Sequence, residues 1–220
     1  WLSLSGKPGT PDKGRLSELL LSNGERVVAD WYIFAAGAWN PLLFPELLHD
    51  KIYLSRHEVS FFAVGAPQKL PQLPIWLDFD SEGILFYGIP HKEPGIKVSF
   101  DQRNYRMPSA VVPRKPDAAL TERNRQYLAR RLPFTQGSTL TNSRVCIYDN
   151  SLDGDSILDL HTEADNVLIA SGTSGHGYKM GPAIGQMVAD TITGQKSLPE
   201  RFSLARFEKN SPLQSQFLPS

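Results

Sequence analysis

The residues most suited to chemistry lie between Ser171 and Gly185. There the run Asn166-Val167-Leu168-Ile169-Ala170 reads as a buried strand that delivers the chain to Gly172. Glycines at 172, 175 and 177 loosen the backbone, and Pro182 to Thr193 is predicted as a helix, with Pro near its first turn and Gly194 just past its end. Glycine lets a backbone approach a ligand closely, and the start of a helix offers free N–H groups and the positive end of its dipole. Such a turn suits an anionic ligand group, although a plain strand–turn–helix connection has the same pattern. The spacing is not G-x-G-x-x-G, and neither that fingerprint nor a phosphate-loop motif occurs in the chain.

Other candidates stand apart. Cys146 is the single cysteine, so an intrachain disulfide is impossible and a thiol-only metal site is excluded. It is open to two readings, a buried structural thiol or a reactive one. Lys97 lies between Ile96 and Val98 on an apolar run, where alternation alone permits a solvent-facing position. His49, His57, His91 and His161 have no metal-ligand spacing, so they are read as structural or surface residues and no metal is expected.

The elements that must position these residues follow from pattern. Trp31 to Ala36, closed by Gly37, reads as a strand buried on both faces of a parallel sheet. Residues 42–48 allow a short helix at best, because Pro45 interrupts them. Strands are predicted at 51–65, 75–79, 83–89 and 95–100, joined by short turns, as in an antiparallel sheet. A helix is predicted over 117–131, with Asp117 as N-cap, Arg130 and Arg131 at its negative end, and Pro133 beyond. Further strands fall at 143–149, 156–160 and 166–171. Residues 3–14 read as a loop or hairpin tip, the stretch from Pro67 to Pro74 as a Pro-rich loop, and the part from Lys209 as a loosely held tail.

Composition narrows the function classes. Lys+Arg and Asp+Glu are both 23, a balance that argues against a general polyanion binder. An apolar fraction of 40% with 21% charged residues fits a globular chain. No apolar run reaches the roughly 18–20 residues of a membrane span. One cysteine suits a reducing compartment, and the chain is read as cytoplasmic. A start at Trp1 without a targeting pattern suggests a piece of a longer chain.

Taken together, the runs Arg144-Val145-Cys146-Ile147-Tyr148, Ser156 to His161, Asn166 to Ala170 and Gly172 to Lys179 resemble monomeric sarcosine oxidase and its relatives, FAD-dependent amine oxidases of the D-amino-acid oxidase superfamily. Ala35-Ala36-Gly37-Ala38-Trp39-Asn40-Pro41 is similar to the family's second flavin-contacting turn, and Tyr87-Gly88-Ile89-Pro90 and Gly95-Ile96-Lys97-Val98 to its substrate-domain strands. The resemblance spans about residues 20–207. It implies an α/β plus α+β fold: part of an FAD-binding doubly wound layer at 1–50, an antiparallel-sheet substrate domain at 51–152, the rest of the FAD-binding domain at 153–207, and the tail at 208–220.

The family's opening G-x-G-x-x-G unit has no counterpart here, so the resemblance implies the C-terminal part of an oxidase that needs an FAD-binding segment from elsewhere. It further implies that Ala36, Gly37, Trp39, Gly172, Gly175, His176 and Gly177 contact FAD, and that Cys146 carries it as a thioether. Lys97 would activate O2, with His176 and Tyr87 close to the reacting centre. Lys179 would bind the carboxylate of an amino-acid-like amine, with Tyr87 beside the substrate. The loop around His176 and the sulfur of Cys146 would then face a common isoalloxazine. Asp101 departs from the family, where a histidine stands about four residues after the lysine, which puts sarcosine itself in doubt. The reaction implied is amine oxidation by hydride transfer to flavin, with O2 reoxidation to hydrogen peroxide. Its rivals are a dehydrogenase using another acceptor and a non-catalytic fragment or subunit.

Overall fold

The computed structural model of the chain describes residues 14–65, 70, 73–91, 95–101 and 103–208. They form two compact units, one from the residues up to Tyr53 and from Tyr148 onward, the other from Leu54–Ile147. The expected loop before Gly14, most of the loop from Pro67 to Pro74 and the tail from Lys209 lie outside the described residues.

In the first unit, β1 (Leu19–Leu20) and β2 (Arg26–Val27) form a hairpin around Asn23-Gly24, the tight-turn pair that favours positive φ. Then β3 (Tyr32–Phe34) lies parallel to β11 (Ala164–Ser171), with Ile33 opposite Leu168, and β10 (Ile157–His161) pairs antiparallel on the other side of β11. The sheet order is β10-β11-β3. Ile157, Leu158, Leu168, Ile169 and Leu48 are fully buried in its core. Leu48 comes from α2 (Pro45–Leu48), which follows α1 (Asn40–Leu43) across a break at Phe44, as Pro45 dictates.

Two expectations need correction here. The strand expected from Trp31 to Ala36 is only three residues long, and Ile33 is 44% exposed, because β3 is the edge strand and no described element covers that face. The helix α4 starts at Gly177, not Pro182, and runs to Ile192. Met180 N donates to His176 O and closes the first turn. Pro182 therefore sits inside the helix, where its missing N–H leaves only the carbonyl of the fully exposed Tyr178 without its helical donor.

The second unit is an antiparallel sheet in the order β5 (Trp76–Phe79), β6 (Leu85–His91), β7 (Gly95–Phe100), β4 (Ile52–Ala63), β8 (Arg106–Met107). The strand β9 (Thr139–Ser151) pairs with β4 and is longer than the 143–149 expected. One face of the sheet packs on α3 (Ala118–Arg131), whose N-cap Asp117 accepts from Ala119 N at 2.7 Å and contributes about 1 kcal/mol. Phe62, Phe86, Ile96, Val98 and Phe100 meet Tyr127 and Leu128 of the helix. Phe86 and Tyr127 stack with ring centres 4.0 Å apart, and Trp76 Nε1 donates to the Tyr127 hydroxyl at 3.0 Å. Gly88 is required opposite Trp76, because a Cβ there would lie 1.8 Å from the indole. The helix also buries Thr121 and Asn124, which its sparse apolar pattern does not mark; Asn124 Nδ2 donates to Ser60 Oγ at 3.0 Å.

A polar cluster lies within this sheet. His57 is 1% exposed, with Nε2 2.9 Å from Ser55 Oγ and Nδ1 3.7 Å from Asp101 Oδ1, and Asp101 pairs with Arg103 at 3.2 Å. Burial drives the imidazole down to about 4 from 6.5; Asp101 opposes the fall and Arg103 adds to it. The fold therefore holds His57 neutral where the unfolded chain protonates it. That stabilisation is complete above pH 6.5 and is lost as pH falls toward 4, by about 3 kcal/mol. Between these pH values His57→Gln should lose about 3 kcal/mol less unfolding free energy than the wild type, measured by denaturant titration. Parallel curves would contradict this assignment.

Candidate functional site

Two groups of side chains come out of this architecture, one in each unit. In the first unit, β3 and β11 run parallel, so the turns that follow them leave from the same end of the sheet. In open α/β sheets that carboxyl end is where ligands bind. Asn40, fully buried, ties the two turns: its Nδ2 donates to Phe34 O at 3.2 Å and to Ala170 O at 2.9 Å. Ala36, Gly37 and Trp39 lie in the first turn, with Gly37 at φ +53° and Trp39 41% exposed. Gly172, Gly175, His176 and Gly177 form the second. All seven of these candidates thus gather at one sheet end.

The second turn is a constrained piece of backbone. Ser174 has φ +52°, the single positive value of a non-glycine residue among the described residues, and it is fully buried. Its N–H donates to Asp149 O at 3.0 Å, and its Oγ accepts from Ser151 N at 3.2 Å. Gly175 follows at φ +79°, where a Cβ would meet the Tyr148 ring at 2.5 Å. His176, half-buried, is the N-cap of α4, and Lys179 stands exposed in the first helical turn. The glycines at 172, 175 and 177 let the turn pack closely on Ser151, Tyr148 and Thr173, whose side chains crowd the places where a Cβ would stand.

Asp149 is the residue that sequence reasoning missed. It is buried and accepts from Gly172 N at 2.8 Å, Thr173 Oγ1 at 2.9 Å and Ser171 Oγ at 3.3 Å. Desolvation pushes its carboxyl above the usual range, against the pull of the donors from Thr173 and Gly172. Its partners lie 22–24 residues further along the chain, so no local pattern in the sequence marks it.

In the second unit, pairing decides which side chains share a face. Lys97 stands opposite Ile89 on one side and Phe61 on the other, and Tyr87, two residues before Ile89, therefore points the same way. This is the face opposite α3. Val59, Phe61, Ile89, Lys97, Arg144 and Cys146 line one open concavity of about 310 Å³. The Arg144 guanidinium lies 4.8 Å from the Phe61 ring centre, and Cys146 is partly exposed. Lys97 and Cys146, which sequence pattern alone leaves unconnected, line the same depression, with Tyr87 diagonally beside them on the sheet.

The concavity has two cations, no acid and an apolar floor, a donor set that fits a planar group able to carry negative charge. The turn of the first unit fits the same class of ligand through the free N–H groups of the helix start behind it. Asp101, by contrast, faces His57 and Arg103.

The backbone constraint can be checked by substitution. Gly175→Ala should lower stability by about 1–3 kcal/mol, because it meets both the left-handed φ and the Tyr148 ring. Gly181→Ala, inside α4 with nothing within 4 Å of the new methyl, should raise it by about 0.5–1 kcal/mol. Thermal melts showing the same small effect for both would contradict the geometry.

The chain is similar to known proteins. The family model for FAD dependent oxidoreductases matches residues 10–191. N-methyl-L-tryptophan oxidase of Salmonella heidelberg (strain SL476) is 30% identical over 183 residues, covering 80% of this chain and 48% of that protein. The Salmonella typhi enzyme of the same name matches equally. The chain thus spans about half the length of the curated relatives it matches. Among solved structures, iminodiacetate oxidase from Chelativorans sp. BNC1 superposes with a TM-score of 0.72 at 22% identity, over 88% of this chain and 50% of that one. Fructosyl peptide oxidase from E. terrenum gives 0.72 at 20% identity, over 97% and 55%. These two show the fold, and the family match shows the kinship: the chain belongs to the FAD dependent oxidoreductase family.

Proposed function

We propose that this chain is the part of an FAD-dependent amine oxidase that carries the glycine-rich flavin turn and the substrate sheet, and that the substrate is an amino-acid-like amine. The observation that carries this reading is the shared concavity of Lys97 and Cys146 in a chain of this family. The named activities of the relatives, oxidation of N-methyl-L-tryptophan, iminodiacetate and fructosyl peptides, support an amine as substrate. A single cysteine fits action in the cytoplasm.

The chemistry that FAD supplies when bound is acceptance of a hydride from the carbon beside the amine nitrogen and delivery of the electrons to O2 as hydrogen peroxide. The protein's own residues bind, orient and set charge. Cys146 holds the cofactor through a thioether. Ala36, Gly37, Trp39 and the residues Gly172, Gly175, His176 and Gly177 contact it. Lys97 places a fixed ammonium on an apolar sheet face, where it stabilises the negative charge that builds on O2 during its reduction. Tyr87 flanks Lys97 and bounds the substrate. His176, at the start of α4, lies close to the reacting centre, and Lys179 in the same first turn takes the substrate carboxylate as an ion pair.

Lys97→Met should slow reoxidation by O2 by about a hundredfold while leaving anaerobic flavin reduction nearly unchanged. Stopped-flow measurement of the two half-reactions separates these, and equal slowing of both would exclude this role for Lys97. Flavin should also stay with acid-precipitated wild-type protein and pass into the supernatant from Cys146→Ala. Complete extraction from both would exclude the thioether.

A further inference from the structure

A buried carboxylate needs a reason, and Asp149 has no cation beside it to provide one. Among the described residues it makes no ion pair, and the groups within hydrogen-bond reach are N–H and O–H donors of a single turn. Those donors are consecutive. Ser171 and Gly172 reach Oδ2, Thr173 reaches Oδ1, and Ser174 N reaches the main-chain oxygen. One residue therefore fixes four successive positions, the last of which carries the strained φ of +52°. A residue held in the left-handed region costs free energy and persists only where its surroundings over-determine it. The bridge between Asn150 and Thr173 adds to that hold from the same strand.

What the hold controls is the exit of the turn. Thr173 O accepts from His176 N at 2.8 Å, and His176 O accepts from Met180 N, so the geometry set at Ser171–Ser174 passes directly into Gly175, His176 and the first turn of α4. Nothing else buried in this turn is charged. An apolar residue of similar size would leave the Gly172 N–H and two hydroxyls without acceptors in a dry site, which is more costly than the hydrogen bonds are worth in water.

We propose that Asp149 is the positioning residue of the flavin turn: its carboxylate holds Ser171–Thr173, and its main-chain oxygen Ser174, in the one conformation that presents Gly175, His176 and the α4 N-terminus to FAD. The inference rests on the functional reading above and goes beyond it, because it assigns the affinity for the cofactor to a side chain that need not touch it. The shape of the acceptor matters here more than its charge. Asn can receive the Gly172 N–H on its oxygen and donate to the Thr173 hydroxyl, so it should restore what Ala removes.

The test compares Asp149→Ala, Asp149→Asn and a control in the full-length protein. The control is Asn166→Ala, at the opposite end of β11, where the amide receives Leu16 N and donates to Leu16 O and Asp30 O. It lowers stability without touching the turn. Each protein is made in a Cys146→Ala background so that flavin binding is reversible; FAD is titrated into each apoprotein, and hydrogen exchange is read at the amides of Gly172 and Ser174. Asp149→Ala should weaken FAD binding by about tenfold or more and lose protection at the Gly172 amide, whose acceptor is the carboxylate. Asp149→Asn should keep the wild-type affinity and protection, and Asn166→Ala should keep both despite a lower melting temperature. Wild-type affinity in Asp149→Ala, or affinity that merely follows melting temperature across the set, overturns the proposal. A wild-type apoprotein that takes up no FAD, with the amides still protected, overturns the functional reading and the proposal built on it.

Discussion

The parallel pairing of β3 with β11 is the constraint on which the first unit depends. Three residue pairs, Tyr32 with Val167, Ile33 with Leu168 and Phe34 with Ile169, set the two strands in one direction. Because they are parallel, both following turns must leave from the same end. Asn40 locks this arrangement by donating to a carbonyl from each strand end. Without the pairing, Ala36 and Gly37 would have no reason to be near Gly172 and Gly175, which lie more than a hundred residues away in the chain. The cost is an edge strand with Ile33 bare on its outer side.

The second unit relies on a different regularity, the two-residue alternation of an antiparallel sheet. Phe86, Val98 and Phe62 go to the α3 side and build the core. The residues between them, Tyr87, Lys97 and Phe61, go to the other side, where Lys97 and Phe61 line the concavity. A shift of one residue in the β6–β7 register would bury Lys97 against α3 and turn Val98 outward, so the hydrophobic core itself protects the chemical face from slippage. The core and the concavity are thus written on alternate residues of the same strands.

Much of this was legible in the sequence because the signals were local. The strand 166–171 followed by three glycines, the strand 95–100, and the helix 117–131 with its Asp117 cap are all patterns that a few neighbouring residues decide. The start of α4 lies earlier than the sequence suggests because Pro182 reads as a first-turn residue, whereas the helix tolerates it in its interior at the loss of one hydrogen bond to an exposed carbonyl. The breadth of β3 was misread because an apolar run cannot reveal whether a second strand will cover it. Asp149, Asn40 and Glu58 were invisible for a common reason. Each is a buried polar group whose partners come from distant segments, as when Glu58 accepts from Arg56 and from Asp117 N, 59 residues away. Such residues resemble turn or surface positions until the chain is folded.

Amine oxidation with O2 as the final acceptor is the proposal on which the rest of the functional reading depends. The most direct measurement is the visible spectrum of the flavin-loaded protein under anaerobic addition of N-methyl amino acids, followed by readmission of air. At least one such amine should bleach the flavin absorption, and air should restore it with one hydrogen peroxide formed per flavin. A flavin that no amine in the panel bleaches, or one that stays bleached in air, would contradict it.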